Sequence, residues 1–568
     1  MKKATVKAII TTLVLLLVAC TVFTLASIVN PLYGQVDNYS IAIVLNRTFG
    51  EEAYVLFLHP WFCSFVAAVS KVFPSADAFT LTGHVLQLSA LFSVLMLIMK
   101  NQSSCLKQKA LYSLICICTY ISLHIFSANY TILAASFAIT GSVHLLSDLS
   151  APSKAKKLLG AFFISAGIMF RANGAYLTFP FLFLEIFIRF LESKPRRAFV
   201  RKTAKTFALT LLCAVILIAS KSVIDHSDAY ASATRHNTLR SLTTDYPHKP
   251  YDQVSHLLPE ISESEYTAAT KWITIDTERQ NDETYTAIAD AHSGMNALEI
   301  NNISFIELIG QFVSYIRQNL SWSLSLLTAA ALFCLCLVLK SRVRALHALL
   351  LLSGSAAIIL FFALKGRAND RVWVPVMLSL LSFSCTAAGQ NMHLSARKMC
   401  ILAGIAMLLS CSITLLRSDF HSPALALNAR KNNEGIVTQE NAESSDLFIW
   451  HNWHMDVSVH YMQAGKLPTK DFLEHNIPSG EWFYRQVYFD NHLNKIDAVN
   501  PAAALFEREN TYLAVKSMPK IYETLFSDMY AAYSIESAFP IETEFDTVNA
   551  YRFVPSESSA PAESEIAQ

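Results

Sequence analysis

The chain has 568 residues, 53% hydrophobic and only 16% charged, with a formal net charge of +1 and a mean hydropathy of +0.35. Soluble chains usually carry about 25% charged residues. The deficit, gathered into long apolar runs, excludes an ordinary soluble protein and points to the membrane class. The balanced charge gives no field that would draw nucleic acid, and none is expected as a partner.

The first apolar run, 8–29, follows Met1-Lys2-Lys3. Leu17-Val18-Ala19-Cys20 fits a lipoprotein cleavage pattern, but the apolar stretch continues to Val29. Roughly twenty residues cross the hydrocarbon, so an uncleaved first span is expected. Further runs lie near 80–99, 109–127, 130–147, 157–171, 174–191, 203–222, 320–340, 345–364, 372–388 and 399–416. The expected fold class is therefore mainly α, with about eleven transmembrane helices. Basic residues at Lys100 to Lys109, Lys154 to Lys157, Arg196 to Lys205, Lys340 to Arg344 and Arg397-Lys398 fall in alternate links. The positive-inside rule then places these links and the N-terminus in the cytoplasm, and the C-terminus outside.

This reading makes 1–416 a polytopic membrane domain with outer loops 30–79 and 223–319. Residues 417–555 form an outer soluble α/β domain, and 556–568 a disordered tail rich in Ser, Ala, Glu and Pro. His59 to Pro74 is amphipathic and aromatic, suited to lying in the interface. In the soluble domain, the runs 447–450, 512–515 and 550–553 read as strands and Pro519 to Tyr533 as helical. Ten of the eleven cysteines lie in or beside apolar runs, so no disulfide framework or zinc spacing is expected.

Several cations fall on the outer side, against the rule. Phe170-Arg171-Ala172-Asn173-Gly174 reads as a tight turn, and Lys365-Gly366-Arg367-Ala368-Asn369-Asp370-Arg371 as another, running into Val372-Trp373. Cations at span ends on that side must snorkel, pair or bind something. Arginine's planar fork suits a lipid phosphate; pairing with Asp370 or with ordinary anionic lipid is the alternative. Asp37, eight residues past the first span, could act as a general base or hold a divalent ion, and Glu51 and Glu52 follow. A helix cap or a solvated side chain is the plainer use of such an aspartate.

The stretches Asn30 to Asp37, His59-Pro60, Phe126 to Thr131, Arg171 and Asn237 to Tyr246 carry a resemblance to a known class of protein, as do Glu263 to Tyr266 with Trp272 and Asp276, and Gly366 to Val372. In these short motifs the chain resembles a family of uncharacterised bacterial multi-spanning membrane proteins that are similar to GT-C-fold glycosyltransferases. The resemblance implies a polyprenyl-phosphate-linked sugar donor, a glycan or lipid acceptor, and transfer on the outer face, in cell-envelope glycan assembly. It implies Asp37 as catalytic acid residue and Asp245 as the leading second acid, which a turn before Pro247 would equally explain. It implies Arg171, Lys365, Arg367, Arg371, His59 and Trp373 on the substrate side. Where many relatives carry two adjacent acids, this chain has Asp37-Asn38, so the cofactor stays open, a divalent cation included, and no metal ligands are assigned.

Other patterns weigh less. His451, His454 and His460 could hold a metal, though ordinary turn residues fit them better, and Trp450, Trp453, Trp482 and Tyr484 could stack on sugars or simply pack a core. A phosphate-binding loop, a nucleophile elbow and a pair of broken helices in matching halves are all missing from the sequence. The rival functions are a lipid-linked glycan flippase or exporter, and a non-catalytic membrane scaffold.

Overall fold

A computed structural model describes residues 36–46, 54–74, 77–101, 106–126, 129–273, 276, 278–292, 299, 304–307, 309–310, 313, 330–335, 337–339, 341–367, 369–388, 446–451, 475–479, 486–495, 497–515, 533–542 and 547–555. The expected spans 8–29 and 399–416, the tail 556–568, and the His454, His460, Trp453, Trp482 and Tyr484 positions lie outside them.

The described chain is mostly helical. In order come α1 Val36–Leu45, α2 Pro60–Val72, α3 Ala78–Lys100, α4 Leu106–Phe126, α5 Tyr130–Ser150, α6 Lys154–Tyr176, α7 Phe179–Glu192 and α8 Arg196–Asp225. Shorter helices α9 Ala231–Thr244, α10 Tyr251–Val254, α11 Glu263–Thr270 and α12 Asp282–Ala291 follow, then the long α13 Arg342–Leu364 and α14 Asp370–Ala388. Five of these, α3, α5, α6, α8 and α13, are long and apolar enough to cross a membrane. At 1.5 Å per residue the thirty-residue α8 reaches about 45 Å, well beyond a hydrocarbon core of about 30 Å. Its Leu211, Leu212, Val215 and Val223 are exposed, as lipid-facing side chains would be.

Helix starts follow local chemistry. Asp77 accepts from the Thr80 amide at 2.9 Å, Asn129 from Thr131 at 2.7 Å and Ser341 from Arg344 at 3.2 Å. Each cap satisfies an amide that the first helical turn leaves without a partner. Ser262 and Glu265 close a reciprocal capping box on α11.

The antiparallel pair α5 and α6 is the axis of the bundle. Gly160, Gly167 and Gly174 recur every seven residues along α6 and lie against α5. A Cβ at Gly167 would stand 2.6 Å from the Ala134 carbonyl, and one at Gly174 2.4 Å from that of Thr131. Gly141 of α5 returns the arrangement, with the Gly160 carbonyl 2.6 Å from where its Cβ would be. Backbones that approach this closely pack by dispersion and leave no room for a methyl group.

The turn expected at 170–174 coincides with a kink in α6: Arg171 is extended at φ −168 and ψ 102, and a short helical piece follows to Tyr176. Gly174 serves the contact with α5 and not a turn. A second turn follows at Leu177-Thr178, where the Thr178 amide and hydroxyl donate to the Ala175 carbonyl at 3.1 and 2.8 Å.

Near the C-terminus, β1 Leu447–His451, β2 Asn476–Ser479, β3 Thr511–Val515, β4 Tyr533–Glu542 and β5 Thr547–Pro555 form a sheet in the order β2-β1-β3-β5-β4. β1 pairs parallel with β2 and β3, and β5 pairs antiparallel with β3 and β4. Helices α15 Val487–Lys495 and α16 Pro501–Glu507 accompany it. The three expected strands are present, and Tyr533, expected at a helix end, begins β4. The buried Leu447, Ile449, Leu513 and Phe553 belong to the same hydrophobic cluster as α1 and the first half of the bundle.

Candidate functional site

The two ends of the bundle carry different polar groups. One end brings together the close of α5, the start of α8, the close of α7 and the start of α13. There Asp148 accepts from Thr206 Oγ1 at 2.7 Å and faces Lys157 at 3.9 Å. Glu185, fully buried, accepts from Arg189 Nε at 2.6 Å and lies 3.6 Å from Arg344 and 3.3 Å from His347. Arg344 also donates to both carboxylate oxygens of Glu192, from Nε at 2.8 Å and from Nη2.

At the other end, the start of α5, the break in α6 and the close of α8 meet residues 54–59. Extended backbone at Arg171 interrupts the helical ladder, and the carbonyl of Met169 accepts from the His59 amide at 2.9 Å. His59 is 1% exposed. Its Nε2 lies 3.0 Å from the Leu217 carbonyl and 3.2 Å from Ser220 Oγ, and its Nδ1 accepts from the Trp61 amide at 3.2 Å. A carbonyl only accepts, so Nε2 carries the proton and the ring is neutral. Burial keeps its pKa below the ordinary imidazole range.

Lys221, near the end of α8, donates to the Leu56 carbonyl at 2.8 Å, to Tyr54 Oη at 2.9 Å and to Asp225 Oδ1 at 3.1 Å. The Tyr54 hydroxyl donates to the same Asp225 oxygen. Burial, and then the Asp225 carboxylate, raise its pKa far above the ordinary phenol value.

Arg171 is held differently. Its Cζ lies 4.4 Å from the centroid of the Phe57 ring and 5.4 Å from that of Tyr130, while those two rings stack at 6.4 Å. Lys221 is within electrostatic reach. Among the described residues, no carboxylate or carbonyl takes any of the guanidinium donors. Side chains on the aromatic faces leave the N–H edge of the fork available for an oxyanion.

A second constellation stands at the same end, beyond the close of α13. Gly366, at φ +70, turns the chain, and a Cβ there would come within 2.2 Å of Pro247 Cγ. Only glycine combines that conformation with that approach. The turn presents Arg367, whose Nη2 donates to Asp245 Oδ2 at 3.0 Å and whose Cζ lies 5.0 Å over Tyr246. Asp245 also accepts from Ser241 Oγ at 2.7 Å and has Arg240 at 4.0 Å. Arg240 is buried over the ring of Trp272, at 4.7 Å. Trp272 adopts φ 64, a left-handed conformation that bulky residues rarely hold without a compensating contact.

The structure therefore brings Arg367 to Asp245, and Arg171 beside the residues that His59 anchors. His59 caps α2 and fastens the loop, with both ring nitrogens engaged. Trp373 is 1% exposed, inside the helical core near the start of α14. Lys365 is exposed at the C-cap of α13, and Arg371 is half-buried in the first turn of α14. The backbone of Asp37 lies in the first turn of α1; its side chain lies outside the described set. Lys221, Asp225, Tyr54 and Phe57 were not singled out by the sequence reading. The available signal was a lysine and an aspartate four residues apart at the close of an otherwise apolar run, far from its basic start.

No family model matches the chain, and no curated protein matches it. Among solved structures it is similar to ArnT from Cupriavidus metallidurans bound to undecaprenyl phosphate, with 10% identity and a TM-score of 0.42, over 95% of this chain and 97% of that one.

Proposed function

We propose that the protein is an integral membrane glycosyltransferase that uses a polyprenyl-phosphate-linked sugar on the outer face, in cell-envelope glycan assembly. The observation that carries this reading is Arg171: a guanidinium at the end of a membrane-length helix, laid on two aromatic rings, with its donors untaken among the described residues. A cation so placed is costly unless it meets an anion, and a lipid phosphate lies at this depth. The full topology in this reading has eleven spans, including 8–29, 320–340 and 399–416, with the N-terminus in the cytoplasm.

In this mechanism Asp37 takes the proton of an acceptor hydroxyl, whose oxygen attacks the anomeric carbon. The bond from that carbon to the phosphate oxygen breaks, and the lipid phosphate leaves with the electron pair. Arg171 and Arg367 hold the charge gathering on it, an effect commonly worth roughly 3–4 kcal/mol for each well-placed donor. A single displacement inverts the anomeric centre. Asp245, paired with Arg367, orients that arginine or serves as a second acid for the acceptor.

Purified protein in proteoliposomes, supplied with radiolabelled polyprenyl-phosphate sugars, tests the reading. Wild type transfers label, and Asp37→Asn and Arg171→Ala, inserted at the same level, do not. Full transfer by Asp37→Asn would remove the catalytic assignment. Export of label without a new glycosidic bond would favour the flippase.

A further inference from the structure

We propose that residues 54–59 form a strap that fixes the orientation of Arg171, with Tyr54 and Phe57 as positioning residues for the phosphate site. The proposal rests on the reading of Arg171 as a phosphate ligand.

The strap has three fastenings. Lys221 has three ammonium donors, and its three acceptors are Tyr54 Oη, the Leu56 carbonyl and Asp225. All three donors are engaged, two of them on the strap and one on Asp225 of its own helix, so its contribution to the neighbouring site is charge. His59 makes the second fastening through Leu217 and Ser220 on α8, and the third through its amide to Met169 on α6. Between them lies Phe57, one residue beyond Leu56 and two before His59, with its ring 4.4 Å from Arg171 Cζ.

An arginine without hydrogen-bond partners ordinarily samples many rotamers, and a ligand must stop that motion when it binds. Stacking on a ring that is itself tethered removes part of the cost in advance. The fastenings reach α6, which carries Arg171, as well as α8, so ring and guanidinium share a frame. Packing alone would not need an aromatic face at 57; a leucine could fill much of the volume. The cation–π contact does need one.

The test uses the full chain in nanodiscs and a short-chain polyprenyl monophosphate as probe, with binding measured beside amide exchange over residues 54–59. Phe57→Tyr keeps a ring and binds like wild type. Phe57→Leu weakens binding about tenfold, within the range of a desolvated cation–π contact, without faster strap exchange. Tyr54→Phe removes the hydroxyl that ties the strap to Lys221 and Asp225, speeds exchange and weakens binding together. Wild-type binding by Phe57→Leu, or equal losses in Phe57→Leu and Phe57→Tyr, overturns the proposal. So does faster exchange in Tyr54→Phe with binding intact. Arg171→Ala separates the two levels: wild-type binding by that variant overturns the phosphate reading itself, whatever the strap does.

Discussion

The bundle treats its arginines in opposite ways at its two ends. Around Glu185, Arg189 and Arg344 are matched by Glu185 and Glu192, with His347 alongside, and the side chains of Glu185 and His347 are fully buried. At the other end Arg171 rests on rings with no anion beside it among the described residues, and Arg367 keeps a single carboxylate while 32% exposed. Opposite charges closed on themselves hold helices together. A guanidinium kept in place by aromatic faces is held without being neutralised, and that is the arrangement a ligand can use.

The sharpest way to break this contrast is Glu185→Ala. It takes the carboxylate from Arg189 and His347 in a buried setting, while Arg344 keeps Glu192, and removing one partner of such a group costs about 3–5 kcal/mol. Thermal unfolding in detergent should show a large loss; a shift no greater than that of a surface variant would mean that the closed end is not structural. Arg171→Ala should do the reverse, lowering transfer about 10²–10³-fold while the unfolding midpoint stays close to wild type. A midpoint that falls with the activity would make Arg171 another structural cation. Gly366→Ala places a Cβ against Pro247 at positive φ and should cost about 1–3 kcal/mol, with Arg367 displaced and transfer reduced. An unchanged midpoint and rate would separate the turn from the site.

The smallest effect concerns acid. Burial, with help from His248 and Lys249, lowers the His292 pKa from 6.5 to about 4. The unfolded chain then binds the proton more readily, so stability is complete above about pH 6.5 and declines as pH falls toward 4. His248 shifts in the same direction, also mainly by burial. Unfolding midpoints at about pH 7 and about pH 5 should differ more in wild type than in His292→Asn. An equal difference would exclude His292 as the cause.

Much of the helical fold was legible because apolar runs of spanning length leave few alternatives. The predicted span near 80–99 lies within α3 and that near 130–147 within α5. Arg171 and Arg367 stood out as cations at unexpected span ends. The strap did not, because Tyr54 and Lys221 are 167 residues apart and an apolar loop gives no sign of the helix it meets. The break expected at 170–174 falls at Arg171, while Gly174 of the same stretch serves the close approach of α5. His59 was marked by its neighbour Pro60, a good first helical residue, and that signal belongs to capping as much as to any substrate.

The length of α8 carries a consequence for the membrane around the protein. A helix about 45 Å long in a core of about 30 Å must tilt or project, and it settles according to bilayer thickness. Lys221 and Asp225 lie at its far end, so under the proposed function the depth of Phe57 and Arg171 would be set partly by the lipids. Reconstitution in acyl chains of increasing length should therefore tune donor affinity with no change in sequence, and would make the surrounding bilayer a component of the site.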